Sequence, residues 1–206
     1  MRTLTVVGHG SASAAADVAD VRFAVVHQAA DSVASAVAGV DEAGRQARAV
    51  AAEVDPEAPL SQNDFSVWPW HDQQGRPAGF EARHSLSVRC HDLASAGRLV
   101  SALAERLDQR LVVEQVTPAL ADRGSVEDQA RAAAFEDATR RATHVAGLAN
   151  DVLGRVQSIV EGGPTGPVPL QEAAMARTGG TDLSFGDSRL TVAVSLTVTF
   201  SLAFGE

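Results

Sequence analysis

The sequence predicts an α+β fold, built mostly of antiparallel β-sheet with about three helices packed on one side. Three observations lead to this prediction: a strictly alternating stretch at the end of the chain, long stretches of helical period, and two strand patterns joined by a polar loop. The alternating stretch runs from Arg189 to Phe204, where every second residue is apolar. Because this is the period of a strand, we expect the long C-terminal strand to be central to the sheet.

Two strands are expected near the start of the chain. The first is Leu4–Val7, and we expect Gly8–Gly10 to end it as a turn or bulge. A phosphate-binding loop is not favoured, because Ser13 occupies the position where the dinucleotide fingerprint needs Gly or Ala. The second strand is Asp20–His27, whose alternation predicts that one face is buried.

Two stretches with helical spacing follow conventional start and stop signals. The first begins after Asp31 or Ser32 as N-cap and ends before Asp55-Pro56, because a residue before proline disfavours the helical conformation. The second begins after Asp92 as N-cap and has an ordinary apolar core stripe.

A third and longer helix is predicted over Ser125–Asn150, with Ser125 as its N-cap. Acid-before-base pairs at i, i+4, including Asp137 with Arg141, are the favourable order on a helix surface and predict a solvent-facing back. The opposite stripe consists almost entirely of small residues, mostly alanine. We therefore expect this helix to lie close to the element that it covers.

The remaining patterns predict a hairpin and two further strands. Phe65–Trp70 and Phe80–His91 alternate on either side of a polar loop that contains Gly and Pro. Trp68 and Trp70 share one face near this loop, where they could form a binding platform or pack against another subunit or element. The two further strands are Leu111–Pro118 and Leu153–Val160.

The segment 162–186 contains six glycines and three prolines, with only Leu170 to Met175 able to form a helical turn. Loops of this length are usually functional or disordered, so we expect a flexible loop that orders against a partner or stays mobile. Apart from this loop, we expect a single domain over residues 1–206.

Composition limits the classes of partner. The net charge of −9 and the pI near 5.1 argue against nucleic acid, which needs a basic surface. No run of about 18 apolar residues occurs, so no transmembrane segment is expected. The start of the chain lacks the apolar run and cleavage site of a signal peptide, which predicts a cytoplasmic protein.

The sequence offers little material for catalysis. His84, Cys90 and His91 are close in the chain, but His91 has the wrong parity to share a strand face with the other two. Cys90 is the only cysteine, and its register predicts a core position. No catalytic motif is present, so we expect no enzyme activity, no metal and no cofactor.

The pattern resembles the SIMPL family over almost the whole chain. The resemblance rests on Leu4–Gly10, Phe80–Val88 followed by Asp92-Leu93, the helix segment Ala130–Ala138, Leu153–Val156 and the closing strand. It implies a bacterial protein of ill-defined function that is linked to stress tolerance. Relatives are commonly periplasmic or envelope-associated, and some resemble ring-forming oligomers.

We therefore expect a non-enzymatic SIMPL-type protein that assembles with itself and has a structural or stress-related role. The alternative is a binding module or adaptor that holds a protein partner or small ligand through the Trp68/Trp70 hairpin and the 162–186 loop. The residues expected at the contact surface are Trp68, Trp70, Leu170, Met175, Phe200 and Phe204.

Overall fold

The computed structural model describes residues 2–72, 74–162, 165–169 and 188–204. It confirms the predicted α+β class, with three helices and two antiparallel four-stranded sheets. The chain divides into two compact units. The closing-strand unit comprises Met1–Ala15, Leu120–Glu172 and Arg189–Glu206, and the hairpin unit comprises Ala16–Ala119 and Ala173–Ser188. That residues 1–206 form a single domain stays a prediction.

The closing-strand unit is organised around its last strand. Strand β8 (Arg189–Phe204) lies between β1 (Arg2–Ala15) and β6 (Asp151–Glu161), and the short strand β7 (Thr165–Pro169) pairs with the beginning of β8. Helix α3 (Arg123–Leu148) covers one face of this sheet. The predicted central position of the closing strand is confirmed, and part of the predicted loop is a strand.

Strand β1 is longer than the sequence predicted. It pairs with β8 without interruption from Arg2 to Ala15, so the expected turn or bulge at Gly8–Gly10 is wrong. The glycines have a different purpose, because a Cβ on Gly8 or Gly10 would overlap backbone atoms of α3, including the carbonyl oxygens of Ala134 and Ala130. They allow the backbones of a helix and a strand to approach closely.

Helix α3 meets this strand with its small residues, as predicted. Its buried residues are Val126, Ala130, Ala134, Asp137, Ala138, Ala142 and Ala146. The N-cap lies three residues earlier than expected, because Asp122 takes this position and its carboxylate accepts a hydrogen bond from the Ser125 N–H at 3.1 Å. Ser125 is therefore the third helical residue and not the cap.

The hairpin unit has the sheet order β3-β4-β2-β5. The four strands are β2 (Val18–Ala29), β3 (Leu60–His71), β4 (Pro77–Cys90) and β5 (Leu111–Ala119). Helices α1 (Val33–Val54) and α2 (Leu93–Leu107) pack on one face, and a 3-10 turn (Asp108–Arg110) follows α2. Strands β3 and β4 form the predicted hairpin, with β3 at the edge of the sheet.

Local signals set the ends of both helices in the hairpin unit. Ser32 and Asp92 are the N-caps, each accepting a hydrogen bond from a backbone N–H three residues on, as predicted. Helix α1 ends at Val54, directly before Asp55. The Asp55 carboxylate is buried and accepts a hydrogen bond from the His91 backbone N–H, which ties the end of α1 to the end of β4.

We expect Gly8→Ala to destabilise the protein by about 3 kcal/mol or more, because the new methyl group meets backbone that cannot move aside without separating α3 from β1. Urea unfolding followed by circular dichroism measures this loss. The matched control is Gly147→Ala in α3, where a Cβ meets no atom within 4 Å. We expect this control to be neutral or stabilising by up to about 1 kcal/mol, because alanine favours a helix. Equal effects of both variants would contradict the proposed role of Gly8.

Candidate functional site

Four exposed apolar residues of the closing-strand unit lie together on strand β6. We call this surface the β6 strip, and its residues are Val152, Val156, Ile159 and Val160, which are 56%, 39%, 51% and 61% exposed. Helix α3 packs over β1 and β8, and the one residue of β6 that joins this core is Leu153. Helix α3 contacts β6 at Leu153 and through the Arg131–Glu161 pair at 3.0 Å, so it covers this strand only in part.

Neighbouring residues in Ile159-Val160 point to opposite faces of the sheet, yet both are apolar. Ile159 pairs with Val198 on the face that α3 covers, and Val160 pairs with Thr197 on the other face. Apolar residues at both parities are typical of a strand that is buried on both sides. This signal was available in the sequence, but the sequence analysis did not use it.

At the other edge of the same sheet, helix side chains form hydrogen bonds with the backbone of β1. Asp137 of α3 is buried and accepts a hydrogen bond from the His9 N–H of β1 at 3.0 Å. Arg141 donates to the Val7 carbonyl oxygen at 3.2 Å and pairs with Asp137 at 2.9 Å. Both backbone groups point away from β8, so these side chains occupy the middle of the β1 edge, where a further strand would otherwise pair.

The hydrogen bond from His9 lowers the pKa of Asp137 below its usual range, and the nearby Arg141 and Arg140 act in the same direction. A carboxyl whose pKa is lower in the folded than in the unfolded state stabilises the fold above its usual pKa, and this stabilisation is lost as the pH falls. The predicted Asp137–Arg141 pair is confirmed. The pair was expected on the solvent-facing side of α3, but it contacts the backbone of β1 at His9 and Val7.

The tryptophans lie on the sheet face of the hairpin unit that is opposite to its helices. Trp68 pairs with Glu81 and Trp70 with Gly79 across β3 and β4, so the two side chains share a face as predicted. Trp68 is 37% exposed and Trp70 is half-buried. Beside Trp68, Gln28 donates a hydrogen bond to Glu81 at 2.6 Å. Exposed indole and hydrogen-bonding groups are therefore next to one another here, and a binding role for them stays a prediction.

The other four residues expected at a contact surface have different positions. Phe204 is 82% exposed at the end of β8, with the Arg2 guanidinium 5.5 Å from its ring centre. Phe200 is 3% exposed and packs in the core under α3, so we do not keep it as a contact residue. Its side chain lies on the helix-covered face because it shares the parity of Val198. Leu170 and Met175 lie outside the described residues.

The candidate histidines and the cysteine are engaged in structural contacts. His84 packs edge-on against Phe65, and burial, followed by the charge of Arg48, lowers its pKa. Cys90 is buried in the hairpin core, as predicted, and burial is the largest of the effects that raise the pKa of its thiol to about 11. His91 contacts the Asp55 carboxylate through Nδ1 at 2.6 Å.

Metal binding and membrane spanning are two further classes of function on which the described residues bear. No group of three or more His, Cys, Asp or Glu side chains within ranges 2–72, 74–162, 165–169 and 188–204 is arranged to hold a metal ion. Among the helices in that part of the chain, none combines the length and the apolar character needed to cross a membrane.

Comparison with protein families decides the affiliation of the chain. The sequence model of SIMPL, a protein of unknown function (DUF541), matches residues 4–200. The chain belongs to the SIMPL family. The resemblance predicted from the motifs is therefore confirmed. A comparison with curated proteins finds no match.

Likeness to solved structures is weak. The crystal structure of AtUAH in complex with glyoxylate is 14% identical with a TM-score of 0.31, and the alignment covers 61% of this chain and 32% of that chain. A hydantoinase/carbamoylase family amidase from Burkholderia ambifaria is 22% identical with a TM-score of 0.29, over 64% of this chain and 34% of that one. This SIMPL-family chain thus spans about a third of the length of these proteins.

We expect Asp137→Asn to lower the urea midpoint at neutral pH, because the variant loses the charge that faces the His9 N–H and Arg141. The difference in urea midpoint between variant and wild type should shrink as the pH falls below about 4, where the wild-type carboxyl becomes protonated. Urea unfolding at a series of pH values measures both effects. The control is Asp128→Asn, since this exposed carboxylate on the same helix contacts Arg131 and not the strand. A wild-type advantage that does not depend on pH would contradict the proposed contact.

Proposed function

We propose that this SIMPL-family protein is a non-enzymatic homo-oligomer with a structural or stress-related role, and that copies associate through the β6 strip. The observation that carries the proposal is the exposure of Ile159 and Val160, two adjacent apolar residues on opposite faces of an edge strand. An exposed apolar edge strand is a site where another chain can add.

A second copy of this chain is the occupant we favour. It brings an identical apolar strip, so that two-fold packing would cover apolar surface with apolar surface on both sides. The β1 edge of the same sheet is occupied at its middle by Asp137 and Arg141, which leaves the β6 side as the more accessible one. Phe204, opposite Asp151 at the start of β6, extends the apolar surface on this side.

A non-enzymatic role is supported by the contacts of the reactive side chains. A thiol with a pKa of about 11 is not an effective nucleophile near neutral pH. The contacts of His84 with Phe65 and of His91 with Asp55 join elements of the hairpin unit. These contacts explain the three side chains without a reaction.

The test is the mass of the protein in solution, by light scattering on a sizing column. We expect a discrete oligomer for the wild type and a dissociation constant about tenfold higher or more for Val160→Lys, because the charge must be buried at the contact. The control is Val145→Lys, an exposed valine of helix α3, which should assemble like the wild type. A monomeric wild type would overturn the assembly proposal. An oligomer unaffected by Val160→Lys would overturn the proposed surface.

The second candidate function is a binding module, favoured by the exposure of Trp68 beside the Gln28–Glu81 pair. Such a pattern suits a ligand that stacks on the indole and accepts or donates hydrogen bonds at the neighbouring strand. In this case the tryptophan face must stay open in the assembled protein.

Fluorescence of Trp70→Phe distinguishes the two functions, because Trp68 is then the only tryptophan. If the hairpin is a binding platform, iodide should quench Trp68 clearly in the assembled protein, as its present exposure of 37% predicts. The urea-unfolded variant gives the reference for full access. Quenching that is lost on assembly would assign Trp68 to a contact between copies and contradict the platform.

A further inference from the structure

A polar cleft of about 360 Å³ lies on the helix-free face of the hairpin unit, at the opposite end of the sheet from the tryptophans. One row of its residues crosses all four strands in the order Ser61, Ser87, Arg22, Gln115. Strands lie about 4.8 Å apart, so this row spans roughly 14 Å. The next row contains Arg89, Asp20 and Thr117. Both rows line the cleft.

Of the three charged residues that line the cleft, Asp20 and Arg89 pair with each other and Arg22 is left over. Arg89 forms a two-pronged pair with Asp20 at 2.8 and 3.0 Å, which raises the pKa of the guanidinium. Arg83 pairs with Glu114 at 2.5 Å. Arg22 is exposed, and within the described part of the chain no carboxylate forms an ion pair with it. The cleft therefore carries one positive charge that its own residues do not compensate.

A β-bulge explains why Arg22 has no ion-pair partner. The pairing of β2 with β5 shifts between Arg22 and Phe23, so that Glu114 is the extra residue of β5. Glu114 accepts hydrogen bonds from Ser85, one row further along the sheet, and from Arg83, two rows further. The side chain opposite Arg22 is then the neutral amide of Gln115. Bulges commonly redirect side chains in this way beside binding sites.

We propose that this cleft binds a small hydroxylated carboxylate, the chemistry of a sugar acid. A guanidinium can donate two parallel hydrogen bonds to one carboxylate, and the single positive charge of Arg22 matches a single negative charge on the ligand. The hydroxyls of Ser61, Ser87 and Thr117 and the amide of Gln115 supply hydrogen bonds for ligand hydroxyl groups. The volume suits a ligand of this size. The site is independent of the proposed assembly, since none of its residues belongs to the β6 strip.

Isothermal titration calorimetry with D-glucuronate tests the proposal. We expect saturable binding that weakens as salt is added, and an affinity at least about tenfold lower for neutral D-glucose and for inorganic phosphate. Arg22→Gln should weaken glucuronate binding by at least about tenfold, because it removes the charge at similar size, and Arg22→Lys should retain part of the affinity. Gln115→Ala is a second variant, which should also weaken binding.

The control is Arg45→Gln, which removes an exposed arginine of α1 on the helix side of the sheet and should bind glucuronate like the wild type. Thermal unfolding of each variant verifies that it is folded. Absence of glucuronate binding to the wild type would overturn the proposal. If phosphate binds as strongly as glucuronate, the cleft is a general anion site, and this result overturns the proposal. If Arg22→Gln and Gln115→Ala both bind glucuronate like the wild type, the ligand binds elsewhere, and this result also overturns the proposal.

Discussion

The closing-strand unit depends on the contact between the backbones of helix α3 and strand β1. Gly8 and Gly10 offer no side chain, and Ala130, Ala134 and Ala138 offer only a methyl group, so helix and strand approach as closely as their main chains permit. At this separation the Asp137 carboxylate accepts a hydrogen bond from the His9 backbone N–H. This close contact thus positions the helix on the sheet, and it also allows a helix side chain to block the β1 edge.

Buried carboxylates bind groups at the ends and edges of strands in both units. Asp137 accepts a hydrogen bond from the backbone of β1, and Asp151 pairs with Arg2 at 2.7 Å. Asp55, at the end of α1, accepts a hydrogen bond from the His91 N–H. A buried charge is costly unless it is paired, so each of these residues constrains the groups around it.

The two sheets leave different kinds of surface uncovered. On the closing-strand unit, α3 covers β6 only in part, and apolar residues remain exposed on both faces of an edge strand. On the hairpin unit, the uncovered face carries hydroxyls, amides and ion pairs such as Arg89–Asp20, with two tryptophans at one end and Arg22 at the other. The apolar surface on β6 suits an apolar partner surface, and the polar face of the hairpin unit suits a polar ligand.

The sequence by itself determined the elements whose signals are local. The alternation of Arg189–Phe204 predicted β8 with its full length, and Ser32 and Asp92 predicted the starts of α1 and α2. Only the tertiary structure decided the role of Gly8, the contact of Asp137 with a residue 128 positions away, and which apolar strand stays uncovered. Periodicity and capping depend on near neighbours in the chain, whereas close approach, burial and charge pairing depend on elements that meet only after folding.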